Sequence, residues 1–263
     1  MICAIFAHAA ESSYMPSPHE MEALVLVPGL VCDASVWQQQ VDDLGSYRAA
    51  PRVTLVTDHG LCDDLGAMAD NLLARAPAKF ALAGHSMGGR VALEVYARAP
   101  ERVTHLALMD TGYDSLPAGE GGEREKAGRY RLVDIARRDG MLAMARDWAQ
   151  KMVHPRRLAD AAFMERIYQM IARAPLAQFE AQIAALLARP DRTALFAHIK
   201  VPTLVLCGHE DGWSPLSQHE EMARRIEGSV LVAVPDCGHM CTLEQPAAIS
   251  RALFNWLGLE NKA

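Results

Sequence analysis

The stretch Phe80-Ala-Leu-Ala-Gly-His-Ser-Met-Gly-Gly89 joins a short apolar run to a segment with helical spacing. It contains G-x-S-x-G as Gly84, Ser86 and Gly88. Between a strand and a helix, this pattern marks a sharp turn that holds the serine in a strained backbone conformation. The flanking glycines remove side chains that would collide with the adjoining strand and helix. Ser86 then sits at the N-terminus of a helix over 87–99, where free N–H groups and the helix dipole favour negative charge. The amide of Met87 is therefore a candidate oxyanion donor. Val91, Leu93, Val95 and Tyr96 give that helix its apolar faces, and Pro100 ends it.

Working outward, other apolar runs rich in Val and Leu read as buried strands at 23–27, 53–57, 80–83, 103–109, 203–207 and 230–234. Helical spacing fills 36–44, 65–76, 215–226 and 246–257. Strand alternating with helix predicts an α/β protein with a mostly parallel, doubly wound sheet covered on both faces. The alternation stops between about 114 and 199, where only helical patterning remains, broken at Gly140, Pro155, Pro175 and Pro190. This predicts a core from 1–113 and 200–263 and a helical lid from 114–199, with 115–124 (SLPAGEGGER) as a flexible entry.

The 263 residues suit a single α/β unit, and 51% hydrophobic with 22% charged residues is ordinary for a packed protein. A net charge of −6 argues against general nucleic-acid binding. No apolar run reaches the length of a membrane span. The opening MICAIFAHAAESSY lacks a basic leading region and is broken by His8, so it reads as an arm or an early edge strand and not as a signal peptide. The lid carries 14 Lys and Arg against 11 Asp and Glu, the remainder 12 against 21. A mildly basic lid over an acidic core favours an anionic substrate; the alternative is a solvated arginine-rich surface. The six cysteines form no disulfide framework, and Cys237 and Cys241 around His239 lack a second ligand pair of matching spacing. Free thiols in a reducing cytoplasm are the simpler reading.

A serine hydroxyl needs a neighbouring base, and histidine titrates in the right range. Of ten histidines, His239 lies in Val234-Pro-Asp-Cys-Gly-His-Met240, just after the last predicted strand, where open α/β sheets build their sites. His85 adjoins Ser86 but points elsewhere on a tight turn. The acid that orients the base is expected after the penultimate strand, in Thr203-Leu-Val-Leu-Cys-Gly-His-Glu-Asp-Gly-Trp-Ser-Pro215, which offers Asp211. Glu210 and Asp110 are its rivals, and Asp236 is placed to shape the histidine loop. A second oxyanion amide is expected at Leu30, in Leu24-Val-Leu-Val-Pro-Gly-Leu-Val-Cys-Asp33. Trp148 and Trp213, with Met144, Met152 and Phe163, are candidate pocket residues.

Together, PGL at 28–30, GHSMGG, GHEDGWSP and CGHM resemble the α/β-hydrolase superfamily over residues 23–257, in its order of serine, acid and histidine. Pro28 stands where many members carry histidine, and the stretch before Ala23 implies a sheet trimmed at its N-terminus. The tail His239-Met-Cys-Thr-Leu-Glu-Gln-Pro246 looks like that of small bacterial esterases and enol-lactonases. The resemblance implies cleavage of a small ester or lactone by an acyl-enzyme route, with no metal or organic cofactor and no membrane or nucleic-acid partner. An enol-lactonase or carbon–carbon hydrolase with the same residues, a cofactor-free haloperoxidase or perhydrolase, and a non-catalytic binding module stay open.

Overall fold

A computed structural model describes residues 3–4, 23–47, 50–55 and 59–259, of which 3–4 and 52–55 by their backbone alone. Among the described residues seven strands form one sheet: β1 (Cys3–Ala4), β2 (Ala23–Val27), β3 (Arg52–Leu55), β4 (Phe80–His85), β5 (Val103–Met109), β6 (Thr203–Gly208) and β7 (Val230–Val234). Their spatial order is β1-β7-β6-β5-β4-β2-β3. All neighbours run parallel except β1, which pairs antiparallel with β7. The short run at the N-terminus thus contributes an edge strand, and the expected strand over 53–57 is found at Arg52–Leu55, its last two positions lying outside the described residues.

Each of β2, β4, β5 and β6 is buried almost throughout, as the continuous apolar runs require. β7 differs: Val230 is exposed and only Val234 is fully buried, and among the described residues just the two of β1 pair with its outer edge. Helices α1 (Gln38–Leu44), α2 (Leu65–Arg75), α3 (Met87–Arg98), α8 (Leu216–Arg225), α9 (Cys241–Glu244) and α10 (Pro246–Trp256) connect the strands and follow the last one. Between β5 and β6 the chain instead passes through α4 (Glu120–Asp139), α5 (Met141–Trp148), α6 (Ala161–Ala172) and α7 (Leu176–Leu187). Gly140, at φ 88°, separates α4 from α5, and Pro175 precedes α7.

The segment 115–124, expected as a flexible entry, is irregular only over 115–119. Helix α4 already starts at Glu120, with Glu120 and Glu123 at the positive end of its dipole. Gly122 lies inside the helix because a β-carbon there would meet the carbonyl oxygen of Pro117 at 2.0 Å. Close packing, and not flexibility, accounts for that glycine.

The strand ends are aligned by register: Gly84 pairs with Leu108, His85 with Met109, and Gly208 with Val234. Just past these ends the backbone is strained. The non-glycine residues with positive φ among the described residues are Val31, Ser86, Asp110 and Asp236, and each follows the C-terminal end of a strand within a few positions. Such conformations cost energy and persist only where surrounding packing imposes them.

Candidate active site

Ser86 has φ 56° and ψ −119°, the turn expected between β4 and α3. Its amide donates to the carbonyl of Met109 at 2.8 Å, and its carbonyl accepts from Thr111 Oγ1 at 2.7 Å. The turn is tight on both sides: a β-carbon at Gly84 would lie 2.2 Å from Gly88 O, and one at Gly88 2.2 Å from Val27 O. No side chain larger than hydrogen fits either position without moving backbone.

His239 Nε2 lies 2.7 Å from Ser86 Oγ, and His239 Nδ1 lies 2.8 Å from Asp211 Oδ2. With the proton on Nδ1, His239 donates to Asp211 and accepts from the serine hydroxyl. Asp211 is in turn held by the amides of Trp213 at 2.8 Å and Ser214 at 3.1 Å, both on Oδ1. Burial lowers the pKa of His239, but the charge of Asp211 and its hydrogen bond outweigh burial and carry it above the ordinary 6.5.

The rivals for the acid are engaged elsewhere. Glu210 accepts from the amide of Cys237 at 3.0 Å. Asp110 is fully buried and accepts from the amides of Gly208 at 2.8 Å and Cys241 at 3.4 Å. Asp110 also lies 3.5 Å from His85 Nε2, which donates to the carbonyl of His239 at 2.7 Å. These two residues therefore brace the histidine loop from beneath. Asp236, in the left-handed region, pairs with Arg156 at 2.9 Å.

A cavity of about 300 Å³ opens onto this cluster and is lined by Leu30, Ser86, Met87, Met152, Trp148, Trp213 and His239, among others. The Trp148 and Trp213 rings meet edge to face with centroids 6.3 Å apart, and Trp213 Nε1 donates to Lys151 O at 3.1 Å. Met144 and Phe163, expected in the pocket, instead lie buried in helix packing and are not among its lining. The loop that carries Leu30 is pinned from α7, where Gln182 Oε1 accepts from the amide of Val31 at 2.8 Å.

Sequence reasoning missed the polar wall of the cavity: Arg90, Arg129 and Arg189, with Asp114 and Glu125. Arg90 had one available signal, since it follows Ser86 by four residues and shares its helix face. Among the described residues no group of three or more metal-ligating side chains includes both Cys237 and Cys241. The groups with metal-ligating atoms mutually within 4.8 Å are His85, Asp110 and Cys241, and Asp110, Cys207 and Asp211. Both depend on Asp110, whose carboxylate is already taken by backbone amides. Among the described residues no helix is long and apolar enough to cross a membrane.

Known proteins share this fold. The chain is 30% identical to a thermophilic esterase from Thermogutta terrifontis, solved with malate bound, with 90% of this chain and 89% of that one covered and a TM-score of 0.77. The enol-lactonase from Burkholderia xenovorans LB400 superposes with a TM-score of 0.78 at 21% identity over 90% and 92% of the two chains, which speaks to the fold alone. A 2-hydroxy-6-oxononadienedioate/2-hydroxy-6-oxononatrienedioate hydrolase from Escherichia coli is 29% identical over 188 residues, covering 68% of this chain and 62% of its own length. With residues 24–252 matching the family model and the strand order and nucleophile turn in place, the chain belongs to the alpha/beta hydrolase family.

Proposed function

We propose that the protein is a serine hydrolase that cleaves a carboxylic ester through an acyl-enzyme. The observation that carries this reading is the position of His239, 2.7 Å from Ser86 Oγ and 2.8 Å from Asp211. In the first step His239 Nε2 takes the hydroxyl proton while Ser86 Oγ bonds to the ester carbonyl carbon. The negative charge that develops on the carbonyl oxygen falls to the amides of Leu30 and Met87. Collapse of this adduct expels the alcohol, which leaves with the proton from His239. Water then attacks the acyl-enzyme by the same route and frees the acid.

In this reading the helices of 114–199 are a lid over a core formed by 1–113 and 200–263, and Trp148 and Trp213 wall the substrate cavity. The same three residues would serve an enol lactone or a carbon–carbon bond, and the Burkholderia and Escherichia relatives carry those names. An ester is favoured because the Thermogutta esterase combines 30% identity with coverage of 90% of this chain. Cys32, Cys62, Cys207, Cys237 and Cys241 are free thiols, which suits a reducing compartment such as the cytoplasm.

A fluorophosphonate probe is expected to label Ser86, and Ser86→Ala to lose both labelling and the burst of alcohol from an activated ester. Turnover should fall by roughly 10⁵-fold or more. Undiminished turnover by S86A would overturn the reading. A panel of linear esters, cyclic esters and β-diketone-like compounds then separates the three substrate classes.

A further inference from the structure

Three guanidinium groups line the cavity that contains Ser86 and His239: Arg90 on α3, Arg129 on α4 and Arg189 just beyond α7. All three are largely removed from solvent, Arg189 to 4% side-chain exposure. The carboxylates in the same wall are Glu125 and Asp114, and Asp114 is 45% exposed and therefore well hydrated. Among the described residues three positive charges thus face two negative ones, one of which is screened by water. An uncompensated buried cation is costly, and burial lowers Arg90 to about 10, with repulsion from Arg189 adding to it.

The arginines do not play the same part. Arg189 is spent on structure: it donates to Glu125 at 2.7 and 2.8 Å, to Leu186 O at 2.8 Å and to Asp114 O at 3.2 Å. Arg129 engages one oxygen of Glu125, from Nε at 2.9 Å and from Nη2 at 2.7 Å, and its Nη1 has no acceptor among the described residues. Arg90 donates from Nη1 to Asp114 O at 2.7 Å and from Nη2 to Asp114 Oδ1 at 3.2 Å, leaving its Nε without an acceptor among the described residues. Guanidinium groups with donors to spare, held beside excess positive charge, match the planar fork of a carboxylate.

We propose that Arg90 and Arg129 form a carboxylate-binding subsite, so that the substrate is a monoester of a short dicarboxylic acid. This rests on the serine hydrolase reading for its chemistry, but not for its binding. Arg90 lies four positions after Ser86, about 6 Å along the helix, so both ends of one small molecule are within reach. A long neutral acyl chain would leave the guanidinium groups without an anionic partner.

The test compares two para-nitrophenyl esters of glutarate, one with its second carboxyl free and one with it capped as a methyl ester. Wild-type protein is expected to favour the free acid at least tenfold in kcat/KM. Arg129→Gln and Arg90→Gln should each remove most of that ratio, chiefly through KM on the free acid. R129K should restore part of it, and the exposed Arg138→Gln none of the loss. In parallel, calorimetry with glutarate itself is expected to show binding to S86A and none to S86A/R129Q. Using R90Q beside R129Q keeps the test decisive if one variant is unstable.

Preference for the capped ester, or failure of S86A to bind glutarate, overturns the subsite. If S86A binds glutarate through Arg129 while the wild type hydrolyses neither ester and takes no fluorophosphonate, the subsite stands and the hydrolase reading falls.

Discussion

Glu244 Oε2 accepts a hydrogen bond from the backbone N–H of His154 at 2.7 Å, across 90 positions of chain. Oε1 of the same carboxylate accepts from the amides of Gly238 at 3.0 Å and Met240 at 3.2 Å, the neighbours of His239 on either side. Met152 O, in the same segment as His154, accepts from His239 N at 2.8 Å. One buried carboxylate therefore fastens the histidine loop to the segment that follows α5.

Burial raises the pKa of Glu244 from 4.5 to about 7, against the opposing pull of the three amides. An acid with a raised folded pKa contributes stability that is full below 4.5 and is lost as pH rises through 7. Glu244→Gln has no such titration. Urea midpoints measured from pH 4 to 8 are expected to show the wild type losing ground relative to E244Q across that window. A pH-independent difference would refute the assignment. Because one Gln oxygen must serve donors that two Glu oxygens served, kcat should also fall by roughly tenfold to a hundredfold.

His239 must be neutral to accept the serine proton, and its pKa is raised above 6.5 by Asp211 in spite of burial. The acid limb of kcat/KM is therefore expected to inflect above 6.5. Asp211→Asn should move that inflection to lower pH and reduce kcat by roughly 10³–10⁴-fold, since the imidazole tautomer is no longer fixed. The linked stability has the sign of a raised histidine: present below 6.5 and lost as pH rises through the folded value. An unmoved acid limb in D211N would separate Asp211 from the base.

Two glycine substitutions should act in opposite directions. A β-carbon at Gly88 would meet the carbonyl oxygens of Val27 and Pro28 at 2.2 and 2.7 Å, so α3 must retreat from β2 and take Ser86 and Met87 with it. G88A is expected to destabilise by about 1–3 kcal/mol and to abolish labelling of Ser86. Gly128, exposed within α4 with nothing inside 4 Å of an added β-carbon, should accept alanine with a gain of about 0.5–1 kcal/mol. Thermal unfolding of both variants checks the contrast.

Thiol reactivity should divide the cysteines by burial. Burial, with Asp33 adding to it, pushes the Cys32 thiol up to about 12. Cys207, Cys237 and Cys241 are raised in the same sense by burial and then by Asp110. Iodoacetamide applied to the native protein is expected to alkylate the partly exposed Cys62 and to spare these four. Mass spectrometry reads the outcome, and prompt alkylation of Cys241 would mean that the floor beneath His239 is open to solvent.

The core strands and helices were legible because a parallel sheet covered on both faces needs short continuous apolar runs separated by helical ones. β2, β5 and β7 have the bounds expected from that rule. The exposure of most of β7 was not legible, since burial at a sheet edge depends on what lies beyond it. The helix start at Glu120 was hidden for a similar reason: Gly121 and Gly122 signal a loop until the backbone of Pro117 is seen against Gly122.

Local sequence determined the strained turn at Ser86, because a G-x-S-x-G between strand and helix leaves the backbone few alternatives. It also narrowed the base and the acid to positions just after strand ends. Only the tertiary structure decided what those groups touch. Asp110, not Asp211, lies beneath His85; Glu244 grips the histidine loop; and arginines from three separate elements converge on one cavity. Motifs are read over a few neighbouring residues, whereas charge balance and hydrogen-bond satisfaction also draw on residues far apart in the chain, such as Glu244 and His154 across 90 positions and Arg189 and Glu125 across 64, which only the folded chain brings into contact.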